Sequence, residues 1–189
     1  MTERDDILQA AETLRRGGII LYPTDTIWGL GCDPCCEAAV ERLFALKHRP
    51  PAKAMLLLAA DLDMAAEYVA DIPEKAKELA VNGLRPTTVI YPGARGIARE
   101  LIADDGSIGI RIPDYEFCRQ LCRELGRPIV STSANLSGQP SAATFAEIAP
   151  EIVSAADYVA LTGRDRPAGV ASVIVKINPD GTLLYIRKK

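Results

Sequence analysis

The sequence predicts one domain of mixed α and β structure, a mixed sheet covered by helices on both faces. Three observations predict it. Apolar runs of strand length alternate with helical stripes along the chain. The last two runs are joined by NPDG, a turn suited to a hairpin. No linker, repeat or low-complexity stretch interrupts the 189 residues, a length that suits a single domain spanning 1–189.

The elements follow in order. Residues 5–16 place Ile7, Leu8, Ala11 and Leu14 at helical spacing, and Gly17 and Gly18 stop the helix. GIILYP (18–23) is a short apolar strand, and TDTIWGLGCDP (24–34) is expected as a loop leaving its carboxyl end. A helix over 35–47 turns Val40, Leu43 and Phe44 inward, then runs into Lys47, His48 and Arg49 before Pro50 and Pro51. MLLLAA (55–60) has the uniform apolarity of a strand buried on both faces. Helical patterns return at 62–69 and 73–83, followed by strands TTVIY (87–91) and SIGIRI (107–112). A helix over 114–125 ends at Gly126, and PIVSTS (128–133) closes in the hydroxyl run Ser131, Thr132 and Ser133. A helical piece near 145–156 precedes the strands DYVAL (157–161), SVIVKI (172–177) and TLLYIR (182–187).

With 48% hydrophobic and 25% charged residues, the composition is that of a soluble globular protein. The formal charge of -3 argues against a surface built for nucleic-acid phosphates, while leaving room for a local basic cleft and a weak RNA contact. MTERDDILQAAETLRR lacks the apolar core of a signal peptide, and AMLLLAA is too short to span a bilayer; a cytoplasmic location without a membrane partner is expected. Cys32 and Cys35 form C-x-x-C, yet Cys118 and Cys122 share a helical stripe with Phe117, Leu121 and Leu125. Buried thiols are the expectation there, not a metal site.

Phosphate-loop, dinucleotide, nucleophile-elbow and zinc-protease motifs are all absent. Lys47 and Arg49 remain. Cations in a last helical turn gain about 0.3–1 kcal/mol from the macrodipole, which alone accounts for them. His48, flanked by two cations, is expected to be solvated or structural. Other polar groups leave the predicted strand ends: Thr24, Asp25 and Thr26; Arg111; and Ser131, Thr132, Ser133 and Asn135. Ligands of sheets with helices on both faces sit at carboxyl ends of strands, so convergence of these groups on one crevice is the working expectation. A Lys and Arg pair binds a polyphosphate through charge-assisted bonds without a phosphate loop.

Lys47-His48-Arg49 and Ser133-Ala134-Asn135 fit the K-x-R and S-x-N segments of the YrdC family of threonylcarbamoyl-AMP synthases, which the chain resembles. GGIILYPTDTIWGLGCDP, LKHRPPAKAMLLLAA, DGSIGIRIP and PIVSTSANLSGQPSA extend the likeness in family order. The resemblance implies a YrdC/RibB-like three-layer fold, a twisted mixed parallel and antiparallel sheet around a large open cavity. It implies a nucleotidyltransferase that forms threonylcarbamoyl-AMP and pyrophosphate from L-threonine, bicarbonate and ATP, with Mg2+ accompanying ATP. The product would pass to a transferase that modifies tRNA. Carried over by position, Lys47 and Arg49 act at phosphates and carbamate, with Lys53 nearby. Ser107, Ser133, Ser141 and Arg187 contact ATP, and Asn135 holds the S-x-N loop or a phosphate. Thr26, Arg111, the Ser131 backbone and Ser172 receive threonine, with Arg111 on its carboxylate. The chain departs from the family pattern at LRPTTVI (84–90), which replaces a Pro-Gly-Pro-Leu-Thr segment, and at Ser172-Val173, which replaces a Ser-Thr pair. Two alternatives stand beside this reading: an RNA-binding module using the basic rim, and a relative that handles a different carbamoyl-adenylate.

Overall fold

The structure, a computed structural model, describes residues 2–48, 55–82, 85–178, 180 and 182–187. In chain order the elements are α1 (Glu3–Arg15), β1 (Ile20–Tyr22), β2 (Gly29–Cys32), α2 (Glu37–Leu46), β3 (Leu56–Leu58), α3 (Leu62–Ala66), α4 (Glu74–Asn82), β4 (Thr87–Tyr91), β5 (Ile108–Arg111), α5 (Glu116–Leu125), β6 (Ile129–Ser133), α6 (Pro150–Ala155), β7 (Tyr158–Val159), β8 (Val173–Ile177) and β9 (Leu183–Arg187). The strands form one sheet in the order β7-β1-β2-β6-β3-β5-β4-β8-β9. Pairs β1/β7, β3/β5 and β4/β8 are parallel and the others antiparallel, so the mixed sheet expected from the sequence is present. β8 and β9 form the expected terminal hairpin.

Residues at one register position form a row across the sheet: Val175, Val89, Ile110, Leu57, Val130 and Cys32. All six are buried. One residue along each strand the side chains point the other way, and the neighbouring row reads Ile90, Gly109, Leu56, Ser131 and Gly31. The first row belongs to the hydrophobic core, and the second gives the sheet a mixed polar face.

Side-chain N-caps are made by Thr2 on α1 and Asp61 on α3. Thr2 and Asp5 form a capping box at the start of α1. Its buried Asp6 accepts hydrogen bonds from Tyr158 Oη at 2.6 Å, Thr162 N at 2.6 Å and Leu161 N at 3.0 Å, tying the N-terminal helix to the strand that follows α6. Phe117, Cys118, Leu121, Cys122 and Leu125 form the buried face of α5, as the stripe predicts, and Gly126 ends it in a left-handed conformation.

The expected loop over 24–34 contains β2. Two glycines in GLGC hide it, because glycine weakens a strand intrinsically and carries no apolar pattern. Pairing with β1 on one side and β6 on the other overrides that weakness. Gly31 is also sterically required: a Cβ there would lie 2.7 Å from Val130 O and 2.9 Å from Tyr22 Cε1. The helical piece expected near 145–156 splits into a 3-10 turn, Phe145–Glu147, and α6, which opens with Pro150 in its first turn.

Candidate functional site

A cavity of about 320 Å³ opens on the mixed face of the sheet, near the lower end of the size range of small-molecule sites. Its floor carries Leu56, Gly109, Ile90 and Ser131 from the second row, with Thr88, Arg111, Ser133, Ser172 and Ile174 around them. The loop after β1 supplies Thr24, Thr26 and Trp28, and the far edges supply Ser141, Ile186 and Arg187. Of the groups expected at strand ends, Thr24, Thr26, Arg111, Ser131, Thr132 and Ser133 thus meet, but across a sheet face, and Asp25 and Asn135 are not among the lining residues. In SIGIRI, Ile108 and Ile110 enter the core while Gly109 and Arg111 enter the cavity. Gly109 keeps the floor low, since a Cβ would stand 3.1 Å from Thr88 Cγ2.

Thr26, Arg111, Ser131, Ser133, Ser141, Ser172 and Arg187 line this one hollow. Arg111 is buried and ion-paired with Asp25, and its Nη2 donates to Thr26 Oγ1 at 3.3 Å. Its Nε is buried without a hydrogen-bond partner. An unsatisfied buried donor costs about 1–3 kcal/mol, so this edge favours an incoming acceptor. Arg187 donates from Nε to Ser172 O at 2.8 Å and from Nη2 to Ser172 Oγ at 3.0 Å. Burial pulls the Arg187 pKa below its ordinary value, and the positive field of Arg111 adds to that shift. Two guanidiniums that feel each other across a hollow favour an anionic guest.

The hydroxyls have assignable directions. Thr24 Oγ1 gives its proton to Ile27 O at 2.7 Å, so in its 2.9 Å contact with Thr26 Oγ1 it accepts. Tyr22 Oη donates to Ser131 Oγ at 2.9 Å, leaving the serine proton for a ligand. Burial pushes the Tyr22 pKa well up, which keeps the phenol a donor. Thr88 Oγ1 and Ser172 Oγ are 2.9 Å apart.

Lys47 caps α2 and is buried. Its Nζ bonds the carbonyls of Ser133 and Asn135, with Asn135 Oδ1 at 3.1 Å and Ser133 Oγ at 3.4 Å. Its own carbonyl accepts from Ser137 N at 3.0 Å. Lys47 therefore meets the S-x-N segment, acting as a clamp on the turn that leaves β6. Asn135 spends its Nδ2 on Gln139 O. Neither Lys47 nor Asn135 lines the cavity. Arg49 and Lys53 lie outside the described residues. His48 is exposed and takes φ 48°, ending the helix in the left-handed region.

Ser107 does not join the cavity wall. Its hydroxyl donates to Asp105 Oδ1 at 2.5 Å, and Lys176, followed by Ser107, pulls the Asp105 carboxyl down to about 2. The two departures from the family pattern are neighbours: Thr87 pairs with Val173, whose N–H bonds Pro86 O at 2.8 Å. Val173 is not on the cavity wall whereas Ser172 is, so the missing hydroxyl removes no lining group. Sequence reasoning placed Asp25 among the groups converging on the crevice but gave it no partner and no role. Its signal was an acid between two threonines at a strand end. Thr88 and Trp28 were missed; the alternation of TTVIY places Thr88 opposite Val89.

Among the described residues, no three His, Cys, Asp or Glu side chains cluster to hold a metal, and no helix is long and apolar enough to cross a membrane.

Residues 12–188 match the family of Sua5, YciO and YrdC proteins, described as telomere recombination. The threonylcarbamoyl-AMP synthase of Idiomarina loihiensis is 38% identical over 177 residues, covering 92% of this chain and 94% of the relative. That of Chromohalobacter salexigens is 40% identical over 171 residues, covering 88% and 91%. Among solved structures, E. coli YciO superposes with TM-score 0.84 at 27% identity, covering 99% of this chain and 90% of its own. P. abyssi Sua5 complexed with L-threonine superposes with TM-score 0.87 at 27% identity over 99% of this chain. The chain spans just over half the length of that Sua5, 54%.

Proposed function

The chain belongs to the Sua5, YciO and YrdC family, and on that premise we propose that it is a threonylcarbamoyl-AMP synthase, a nucleotidyltransferase joining L-threonine, bicarbonate and ATP with release of pyrophosphate. The observation that carries the proposal is the meeting of hydroxyls and two guanidiniums in one cavity beside a lysine-clamped turn. Curated relatives that span nearly the same length bear that name, and a Sua5 structure holds L-threonine.

The reaction asks more for positioning and charge stabilisation than for a strong base. Threonine's amine adds to bicarbonate-derived carbon dioxide, the carbamate oxygen attacks the α-phosphorus, and pyrophosphate leaves in line. In this proposal the Nε edge of Arg111 receives the threonine carboxylate, with Thr26, Ser131 and Ser172 completing that end. Ser133, Ser141 and Arg187 face the nucleotide. Lys47 and Asn135 shape the turn that carries Ser133, so Lys47 contributes through geometry as well as charge. Arg49 and Lys53 enter as phosphate cations, and Ser107 as an ATP contact, on family resemblance alone. Magnesium enters with ATP, held by phosphate oxygens and water. The product passes, in the cytoplasm, to a transferase acting on tRNA.

Pyrophosphate release from ATP, bicarbonate and magnesium is the test. Release should require threonine and fall strongly with serine or when carbamoyl phosphate replaces bicarbonate. Equal release without threonine would refute the assignment.

A further inference from the structure

Asp25 sits behind the amino-acid end of the cavity without lining it. One carboxylate oxygen takes Arg111 Nη1, and the other accepts from Asp114 N at 3.2 Å. The adjoining Thr26 carbonyl accepts from Gly169 N, so the chain around Asp25 is held from a second side. Gly169 leaves little space there: a Cβ would lie 3.0 Å from both Asp25 O and Thr26 O.

A guanidinium offers a carboxylate two edges, the Nη1–Nη2 end and the Nε–Nη2 side. Asp25 takes Nη1 of the end while Nη2 donates to Thr26 Oγ1, and the side carries the buried Nε that has no partner. A carboxylate fixed this way stops the guanidinium from turning. It also offsets the Arg111 charge in part, whereas Arg187 makes no ion pair among the described residues. The two cations of the cavity are therefore unequal: one is ion-paired and aimed, the other carries no counter-charge among the described residues.

We propose that Asp25 is the positioning residue of the amino-acid end, holding Arg111 side-on and offsetting its charge so that this end takes an amino-acid carboxylate and discriminates against phosphate. The inference rests on the threonine reading above. Without Asp25, Arg111 would be a mobile, unopposed cation that competes for the phosphates meant for the other end.

Trp28, the sole tryptophan, lines the cavity, so its fluorescence reports binding without turnover. Threonine titrations of the wild type, Asp25→Asn and Asp25→Glu, each checked by thermal melting, are repeated with inorganic phosphate as competitor and paralleled by calorimetry. Asp25→Asn should bind threonine at least tenfold more weakly, and phosphate should displace threonine from it at tenfold lower concentration than from the wild type. Asp25→Glu, which keeps the charge, should retain the discrimination against phosphate even with weaker threonine binding. Asp25→Asn with wild-type threonine affinity would overturn the proposal, and weakened affinity with unchanged phosphate sensitivity would overturn its charge half. If Asp25→Asn does not fold, phosphate-sensitive Asp25→Glu overturns the charge half instead. Failure of the wild type to bind threonine in either assay would overturn the functional reading itself, a distinct result.

Discussion

On one face of the sheet Val175, Val89, Ile110, Leu57, Val130 and Cys32 meet side by side, all buried. One residue further along the same strands lie Ile90, Gly109, Leu56 and Ser131, with Thr88 and Arg111 close by, around a cavity. The backbone and its hydrogen bonds are common to both faces, and only the side-chain direction differs. The first face is filled to exclude water, and the second keeps space, hydroxyls and charge. Substitutions on the two faces should consequently register in different measurements, stability on one and ligand handling on the other.

The largest expected effect is on the core face. Ile110→Ala should cost about 2–5 kcal/mol and lower the melting temperature by roughly 10 °C. Well below that temperature, kcat/KM for threonine should remain near the wild-type value. A large kinetic change at full folding would erase the distinction between the faces.

Lys47→Ala tests the border between them. Its ammonium is buried against two carbonyls, so its loss should lower threonine-dependent pyrophosphate release at least tenfold, about 1.4 kcal/mol, and also lower the melting temperature by several degrees, on the order of 1–3 kcal/mol for stranded carbonyls. Arg49→Ala, by contrast, should lower the release with melting unchanged. If Lys47→Ala leaves melting untouched, the clamp contributes no stability and the lysine acts on ligand alone.

The smallest effect belongs to Thr88→Val, which removes the hydroxyl beside Ser172 and keeps the shape of the side chain. A net hydrogen bond is worth about 0.5–1.5 kcal/mol, a few-fold change. That change should appear in KM for threonine with kcat and KM for ATP steady. A rise in KM for ATP instead would move Ser172 to the nucleotide end.

Much of this contrast was legible in the sequence where alternation was strong. SIGIRI shows two buried isoleucines and, between and after them, a glycine and an arginine, the two faces in one string. The stripe on α5 and the terminal hairpin were readable for the same reason, local periodicity with clear punctuation. GLGC was not readable as a strand, because its reason for being extended is its two neighbours and the ring of Tyr22 lying against Gly31. The pairing of Asp25 with Arg111 was opaque for a related reason. The two lie 86 residues apart in the chain, and an acid at a strand end is equally well explained by a local turn. Ser107 shows the other direction, since Asp105, only two residues earlier, holds its hydroxyl away from the cavity wall. Position in a segment carries no information about which neighbour wins the proton.

A crystal structure with L-threonine and a non-hydrolysable ATP analogue tests the central claim, that chemistry occupies the mixed face of the sheet. The threonine carboxylate should lie within hydrogen-bond distance of Arg111 Nε, with the phosphates against the turn carrying Ser133. Ligands bound outside this cavity, with Arg111 Nε still without an acceptor, would contradict the account.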